Sequence, residues 1–473
     1  MPADTAEIPS TKTSAITTFS NKTVGVRVSP NNYFIVLFLL TFVSGLLVYL
    51  EKDWAATLVF GAGWIFIPFL FLTDRIIFDG KRLTRTGILP QFWAKLNNRK
   101  YRLRISEIEQ VETRSTRALK RGENVTYRYR TSVSGGGLKF DLASGGEDYR
   151  RIIHKILPLI PENALDNRSL ELRDFFNEPK EILMKAEFAK IPAADVLESS
   201  FGKLKINDKN VRKARLKDKE ISGAEMEKAD YLHQLANELR LYGYLLQALE
   251  AFRRALFLKP RDARLIFDFA RCLHSFAGTE KDEDLTRKAL AALRLAEKRA
   301  ANDGEILSRL GESYFQYGDW QRAQTVFQKA IAAADENFRS VRGLAEIALR
   351  EGKIAHVIHH FSTANRLAES TALKRWTQNE SEYFARLNDD DDYMELEVNR
   401  VNLLEGLERS KKTCLQIALV SFPAILIGVL LEENSIADIG WAVSSVALLV
   451  WTGVIISQSI FSNRIPLDFE DKE

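Results

Sequence analysis

Four long stretches of the chain contain no charged residue, and they lie in two pairs near its ends. The first pair is 33–50 and 54–72, separated by the short loop EKD, and the second is 413–431 and 439–461, separated by EENSIAD. Each stretch has about the 20 apolar residues that a helix needs to cross a bilayer. Four such stretches in one chain favour membrane spans over buried core helices. The pattern therefore predicts two transmembrane hairpins, one near each end.

Positive charge flanks these hairpins on one side, whereas the loops inside them are poor in Lys and Arg. The flanking cations are Lys22, Arg27, Arg75, Lys81, Arg82, Arg85, Arg409, Lys411 and Lys412. Because cytoplasmic flanks carry the excess of Lys and Arg, both termini and residues 73–412 are predicted to be cytoplasmic. The spans hold no Asp, Glu, Lys, Arg or His, which argues against an ion pathway.

After the first hairpin the pattern changes to the alternation of period two that is typical of strands. The stretch RIIFDGKRLTRTG predicts two strands joined by a turn at Asp79-Gly80. A second hairpin is predicted where alternating residues around Tyr129 and Phe140 flank the glycines of SGGG. The region closes with EDYRRIIHKILP, a helix with one apolar face. Several short strands closed by a helix, with RLRISEIEQVE in the middle, resemble bacterial PH-like domains. Such domains often follow a transmembrane hairpin, so the resemblance implies a location at the bacterial inner membrane.

The same region is strongly basic, with 15 Lys and Arg against 5 Asp and Glu between residues 75 and 130. A basic surface beside a bilayer attracts anionic headgroups, at about 1 kcal/mol for each well-placed cation. A solvated strand face is the alternative interpretation. The headgroup candidates are Lys81, Arg82, Arg85, Lys95, Arg99 and Lys100.

A period of 34 residues runs through the middle of the chain. Its recurring positions are Gly243, Ala248, Phe252 and Ala255, then Gly318, Ala323, Phe327 and Ala330, then Gly352, Val357, Phe361 and Ala364. Another copy lies between the first two and carries about seven extra residues around GTEKDED. The spacing resembles tetratricopeptide (TPR) repeats, whose helix pairs stack on their neighbours into a solenoid.

The predicted fold is mainly α: a TPR-type α-solenoid, a small β-rich PH-like domain and four transmembrane helices in two hairpins. The predicted order is a disordered tail at 1–32, a hairpin at 33–72, the PH-like domain at 73–160, a helical and basic linker at 161–228, about four repeats at 229–370, a capping helix at 371–412, a hairpin at 413–461 and a tail at 462–473.

The TPR resemblance implies a concave groove, lined by the polar side of each first helix, that binds peptides or partner helices. The expected lining is His233, Asn237, Arg240, Arg271, Glu312, Phe315, Arg342, Glu346 and Arg350. Its mixed charge indicates a specific protein partner. We therefore expect a membrane-anchored adaptor, scaffold or assembly factor, and so a possible subunit of a membrane complex. The alternative is a protein that senses or handles anionic lipids through the basic domain.

Other chemistry is not expected. The net charge of +4 is small for 473 residues, and no nucleic-acid reading motif is present, so no nucleic-acid partner is predicted. The histidines of HVIHH (His356, His359 and His360) lack the glutamate of a metalloprotease motif. NDDDDYME lacks the spacing of a calcium loop and is a solvated turn or a helix start. Cys272 and Cys414 form no CxxC, which favours a reducing compartment. We predict no metal, no cofactor and no enzymatic activity.

Overall fold

The computed structural model describes residues 23–96, 101–121, 124–143, 146–201, 222–334, 337–431, 433–462 and 464. Within these residues the protein is mainly α-helical, with two small antiparallel sheets. The strands are β1 (Val24–Arg27), β2 (Arg75–Phe78), β3 (Arg82–Arg85), β4 (Arg102–Arg104), β5 (Gln110–Arg121), β6 (Asn124–Gly135) and β7 (Leu138–Ala143).

The helices fall into four groups along the chain. The first apolar hairpin is α1 (Asn31–Tyr49) and α2 (Asp53–Thr73), and α3 (Ile88–Leu96) and α4 (Glu147–Ile156) accompany the sheets. Three short helices follow, α5 (Asn167–Phe175), α6 (Pro179–Phe188) and α7 (Ala194–Phe201). The repeat helices are α8 (Gly223–Leu241), α9 (Leu245–Leu258), α10 (Ala263–Glu280), α11 (Glu283–Arg299), α12 (Gly304–Gln316), α13 (Trp320–Ala333), α14 (Phe338–Arg350) and α15 (Ile354–Leu367). The last group is α16 (Thr371–Asp389), α17 (Asp391–Leu430) and α18 (Asn434–Phe461).

Helices α1, α2, α17 and α18 are long and apolar enough to cross a membrane. They pack into one bundle, because the Trp441 ring of α18 lies against Gly45 and 5.1 Å from the ring of Phe42. The loops within the two hairpins lie at the same end of this bundle, where the Tyr49 hydroxyl donates to Asp438.

Strand β1 comes before the first apolar hairpin and pairs with β2, which follows that hairpin. The register places Val26 opposite Ile76. Residues 24–27 therefore belong to a sheet, which corrects their assignment to a disordered tail. Four residues are too few to reveal alternation, and their partner lies about fifty positions away. The rest of the expected tail, residues 1–22, lies outside the described residues.

The two sheets have the strand orders β1-β2-β3-β4 and β5-β6-β7. The two predicted hairpins are confirmed, since β2 pairs with β3 around Asp79-Gly80 and β6 pairs with β7 around Gly136. The closing helix is confirmed as α4, and its apolar face is buried. We refer to the two sheets with α4 as the sheet domain.

The repeat helices form the predicted TPR-type α-solenoid, and their packing explains the 34-residue period. The ring of Phe327 on α13 lies between Gly311 on α12 and Gly343 on α14. A Cβ atom at these glycines would lie 2.6 Å and 2.4 Å from that ring. Small residues are therefore needed at positions 311 and 343, where an aromatic side chain fills the space between neighbouring helix pairs.

The extra residues of the second repeat lengthen both of its helices instead of forming a long loop. Helix α10 has 18 residues, whereas α12 and α14 have 13 each. Helix α11 has 17 residues, whereas α13 has 14.

Two predicted segments differ from the structure in their bounds. The expected helical and basic linker contains α5, α6 and α7, and its last residues belong to α8, which begins at Gly223. Helices α6 and α7 bury Ile182 and Leu197 against the first repeat. The basic stretch 203–219 lies outside the described residues. The expected capping helix is two helices, because Asp390 accepts a hydrogen bond from the backbone N–H of Tyr393 and begins α17. Helix α17 then continues for 40 residues into the second apolar hairpin.

Replacing Gly243 with alanine should destabilise the protein more than replacing Gly318. Both glycines have positive φ, +84° and +85°, which costs other residues about 1 kcal/mol. A Cβ at residue 243 would also lie 1.7 Å from the carbonyl oxygen of Val125, while nothing lies within 4 Å at residue 318. Thermal unfolding in detergent should show the larger loss of melting temperature for Gly243→Ala. Equal losses would contradict the close contact of the sheet domain with the solenoid.

Candidate functional site at the concave face of the solenoid

The inner surface of the solenoid is covered by the sheet domain and by α5. One buried apolar core contains residues from both parts of the chain. The sheet domain and the helices after it contribute, among others, Val133, Phe140, Leu142, Ile153 and Leu172, and the solenoid side contributes Leu241, Phe338, Val341, Ala364 and Leu373. The two parts therefore fold against each other instead of standing apart on a linker.

An aromatic cluster lies at the centre of this contact. Phe176 follows α5, and its ring stacks on Tyr242 with 5.2 Å between centroids. Tyr129 of β6 and Tyr149 of α4 meet the same ring edge-on, at 5.8 Å and 6.2 Å. The hydroxyl of Tyr129 donates to the Leu241 carbonyl, and the hydroxyl of Tyr242 donates to the Asn177 carbonyl. The rings of Phe176, Tyr129 and Tyr149 are thus buried and that of Tyr242 is partly buried, while the tyrosine hydroxyls keep hydrogen-bond partners.

Glu171 of α5 lies between two arginines of the solenoid. It is 1% exposed, and its carboxylate pairs with Arg271 and with Arg240 at 3.0 Å. Arg168 adds a third contact at 3.3 Å. Burial would raise the pKa of Glu171, but the three guanidinium groups outweigh burial and lower the pKa to about 2. The carboxylate is therefore ionised at neutral pH.

A second cluster of polar side chains extends from Arg240 across the first two repeats. His233 and Asn237 of α8 contact the same Asp268 oxygen at 2.8 Å and 3.1 Å. Asn237 also accepts a hydrogen bond from Arg240 at 3.2 Å. Burial would raise the pKa of Asp268, but the hydrogen bond from His233 and the nearby arginines lower it. These side chains therefore join α8 to α10 beneath α5.

The later repeats hold the start of α5. Glu312 accepts hydrogen bonds from the backbone N–H of Asn167 at 3.2 Å and from Arg339 at 2.7 Å. Arg339 also donates to the carbonyls of Glu162 and Leu165, at 3.2 Å and 3.1 Å. The backbone before α5 is thus bound by α12 and α14.

The extended end of α10 receives the β5–β6 hairpin. Arg117 donates to the carbonyl of Gly278 at 2.9 Å, and Lys120 pairs with Glu280 at 2.6 Å. On the first repeat, the backbone N–H of Val125 donates to the Gly243 carbonyl at 3.1 Å. The insertion in the second repeat thus provides the surface on which the hairpin rests.

The predicted groove residues now divide into two sets. Asn237, Arg240 and Arg271 are buried, and Glu312 is bound by α5. The expectation that they line an open groove is therefore corrected, because α5 occupies that space. Arg342 is partly buried and pairs with Glu346 at 2.9 Å beside the ring of Trp376. Besides Glu312 and Arg342, which are partly buried, the members with remaining exposure are His233, Phe315, Glu346 and Arg350.

Sequence reasoning missed Glu171, Asn167 and Arg339. The weak signal for Glu171 was a single acid between two leucines in RSLELRDFF. A lone carboxylate on an apolar face needs a buried partner, but nothing in the local pattern indicates that the partners are Arg240 and Arg271.

The predicted headgroup residues differ in their exposure and in their partners. Lys81 and Lys95 are exposed, and Arg82 is half-buried. Arg85 instead donates two hydrogen bonds to the buried carboxylate of Asp74, at 2.9 Å and 2.6 Å. Tyr33 donates to the same carboxylate at 2.7 Å. Arg85 therefore joins β3 to the first apolar hairpin, which corrects its assignment as a free headgroup ligand. Arg99 and Lys100 lie outside the described residues.

The remaining candidates are the histidines and cysteines that could bind a metal ion. Within the described ranges, no group of three or more His, Cys, Asp and Glu side chains is placed to hold a metal ion. The rings of His356 and His360 are 6.5 Å apart. Cys272 is fully buried and Cys414 is half-buried.

Comparison with known proteins finds no matching family model and no matching curated protein. Among solved structures, a crystal structure of MamA covers 30% of this chain and 80% of its own, with 17% identity and a TM-score of 0.25. The pilF protein of Pseudomonas aeruginosa covers 46% of this chain and 90% of its own, with 17% identity and a TM-score of 0.29. The APC/C hetero-tetramer Cut9-Hcn1 covers 67% of this chain and 52% of its own, with 15% identity and a TM-score of 0.29. Similarities of this size carry no inference about what this chain binds.

Replacing Glu171 with glutamine should loosen the sheet domain from the solenoid. The substitution leaves Arg240 and Arg271 buried without their carboxylate, and breaking such a pair costs about 3–5 kcal/mol. Hydrogen exchange should show faster exchange in α5 and β6, together with a lower unfolding midpoint.

The matched control is Glu181→Gln on α6. The carboxylate of Glu181 is half exposed and pairs with Lys185 at 3.1 Å, so its loss should cost less than about 1 kcal/mol. If the two variants behaved alike, Glu171 would not be what holds the sheet domain in place.

Proposed function

We propose that the protein is a membrane-anchored adaptor or scaffold, which holds the solenoid at the cytoplasmic face of a bilayer and recruits or organises protein partners there. The observation that carries this proposal is the course of α17. This helix packs against α16 at the end of the solenoid and continues without a break for 40 residues into the second apolar hairpin. It is about 60 Å long, so the solenoid is attached to the apolar bundle by a continuous helix and not by a flexible tether.

The surface of the apolar bundle supports its insertion in lipid. Large apolar side chains project from all four helices, and Leu430 is 80% exposed. Others of the same kind are Trp54, Ile65, Val420 and Leu449. An apolar surface of this extent calls for lipid or a protein partner around it.

The two ends of the bundle support the proposed orientation. The loops around Glu51 and Glu433 lie at one end, whereas the connections to β1, β2 and α16 leave from the other. That second end carries Arg75, Lys411 and Lys412, which favours the cytoplasmic side. We also propose that the sheet domain is PH-like, supported by its four-stranded and three-stranded sheets and by the helix α4 that closes them.

Thiol labelling in spheroplasts should test both insertion and orientation. Cys272 is buried and would resist labelling on either side of a membrane, so new cysteines are needed in a Cys414→Ser background. Ser435→Cys, exposed in the first turn of α18 beside the loop of the second hairpin, should react with a membrane-impermeant maleimide in intact spheroplasts. Lys288→Cys, exposed on α11, should react only after permeabilisation. The reverse pattern, or release of the protein by a carbonate wash, would refute the proposal.

The accessible part of the predicted groove suggests where a partner binds. Phe315, Trp320, Leu349 and Arg350 form what we call the rim patch, at the ends of α12 and α14 and the start of α13. The guanidinium of Arg350 lies 3.6 Å from the centroid of the Trp320 ring. Trp320 is 40% exposed and Leu349 is also exposed. Trp and Arg are over-represented among the side chains that dominate interface energies.

Site-specific photo-crosslinking should test the rim patch in intact membranes. A photoreactive amino acid at residue 349 of the full-length protein should yield a defined protein adduct. Arg350→Ala and Trp320→Ala should each lower its yield about tenfold or more, as loss of a dominant contact does. Lys353→Ala, an exposed cation on the same turn, is the control and should leave the yield unchanged. An adduct insensitive to both variants would place the partner elsewhere.

A second candidate is anionic-lipid sensing by the sheet domain. It is favoured by the exposure of Lys81 and Lys95 close to the end of the first apolar hairpin. Among the described residues, fewer cations are free to bind headgroups than the basic composition suggested, because Arg85 is already paired with Asp74. A variant that neutralised Arg85 would therefore disturb the fold as well as the surface charge.

A further inference from the structure

Helix α3 begins at the level where the first apolar hairpin ends. It follows Gly87, at which a Cβ atom would lie 3.0 Å from a carboxylate oxygen of Asp74. Asp74 is the residue directly after α2, and α3 also contacts α2 itself. The helix therefore lies beside the end of a segment that is apolar enough to span a membrane.

One side of α3 is apolar and faces away from the protein. Ile88, Leu89 and Phe92 are exposed, and Phe92 is 64% exposed. At 100° per residue these three lie within a single arc of about 100°, while the buried Ala94 lies on the opposite side. Gln91 and Lys95 are exposed along one edge of that arc. A helix in contact with water alone would place polar residues on its exposed arc.

We propose that α3 is an interfacial helix, lying in the plane of the bilayer with Ile88, Leu89 and Phe92 at the boundary between headgroups and acyl chains. The proposal rests on the membrane anchoring proposed above. Lys95 then reaches anionic headgroups at the edge of the apolar arc, as in other amphipathic helices at membrane surfaces. Nine residues extend about 14 Å, which is too short to span.

Lipid is the occupant that the surroundings of α3 favour. Helix α3 contacts α2, whose last turn exposes Leu72, and the contacts of Asp74 with Tyr33 and Arg85 hold α1, the end of α2 and β3 together. The depth of α3 is therefore set by the depth of the hairpin. A cation at the edge of the arc complements anionic headgroups.

Fluorescence quenching in reconstituted vesicles tests the proposal with the full-length protein. Phe92→Cys in the Cys414→Ser background carries a bimane label, in vesicles of phosphatidylglycerol and phosphatidylethanolamine. A nitroxide near the headgroup should quench this label more than a nitroxide deep in the acyl chain, and aqueous iodide should quench it weakly. Gln91→Cys, one residue away on the polar edge, is the matched control and should be quenched by iodide.

Two further labels separate this proposal from the anchoring on which it rests. Ile65→Cys in the middle of α2 should be quenched by the deep nitroxide, and Lys288→Cys on the solenoid by iodide alone. If residue 65 is quenched by lipid while residue 92 is open to iodide, α3 is not interfacial and the anchoring stands. If neither is quenched by lipid, the anchoring itself fails. Ile88→Cys on the same arc repeats the measurement should Phe92→Cys not fold.

Discussion

The carboxylate of Glu171 controls how the two globular parts of the chain are joined. It is buried with Arg240 and Arg271, and a buried ion of one sign is very costly without the other. Helix α5 can leave the concave face only if all three charges are hydrated again together. The sheet domain and the solenoid therefore behave as one body, and the aromatic cluster around Phe176 excludes water from their contact.

This body is tied to the apolar bundle through several covalent and polar connections. Strands β1 and β2 flank the first hairpin and pair with each other, so both ends of that hairpin leave the same sheet. The second hairpin continues directly from the solenoid through α17. Arg464, just beyond α18, returns to the solenoid side and pairs with Glu380 of α16 at 3.0 Å. These connections fix which face of the body lies against the bundle, and α3 belongs to that face.

In this arrangement the concave face of the TPR-type solenoid is not an open groove. The helix pairs still form a curved frame, but along much of the concave face the frame holds a segment of its own chain. The elongated α10 and the arginines of the first repeats serve that internal contact. We therefore propose the rim patch as the surface that binds a separate protein, and α3 with the exposed lysines near it as the surface that faces lipid.

The sequence by itself determined the repeat, the apolar hairpins, two strand hairpins and α4, because each depends on a local periodicity. Phe327 needs small residues one helix away on either side, and a shift of 34 positions places Phe361 and Ala345 where Phe327 and Gly311 stand in the preceding repeat. Only the tertiary structure decided that β1 pairs across the hairpin, that α5 fills the groove and that Arg85 belongs to Asp74. An arginine facing a solvated groove and an arginine facing a buried carboxylate have the same local sequence pattern. The difference lies in a partner that is distant in the chain, such as Glu171 for Arg240.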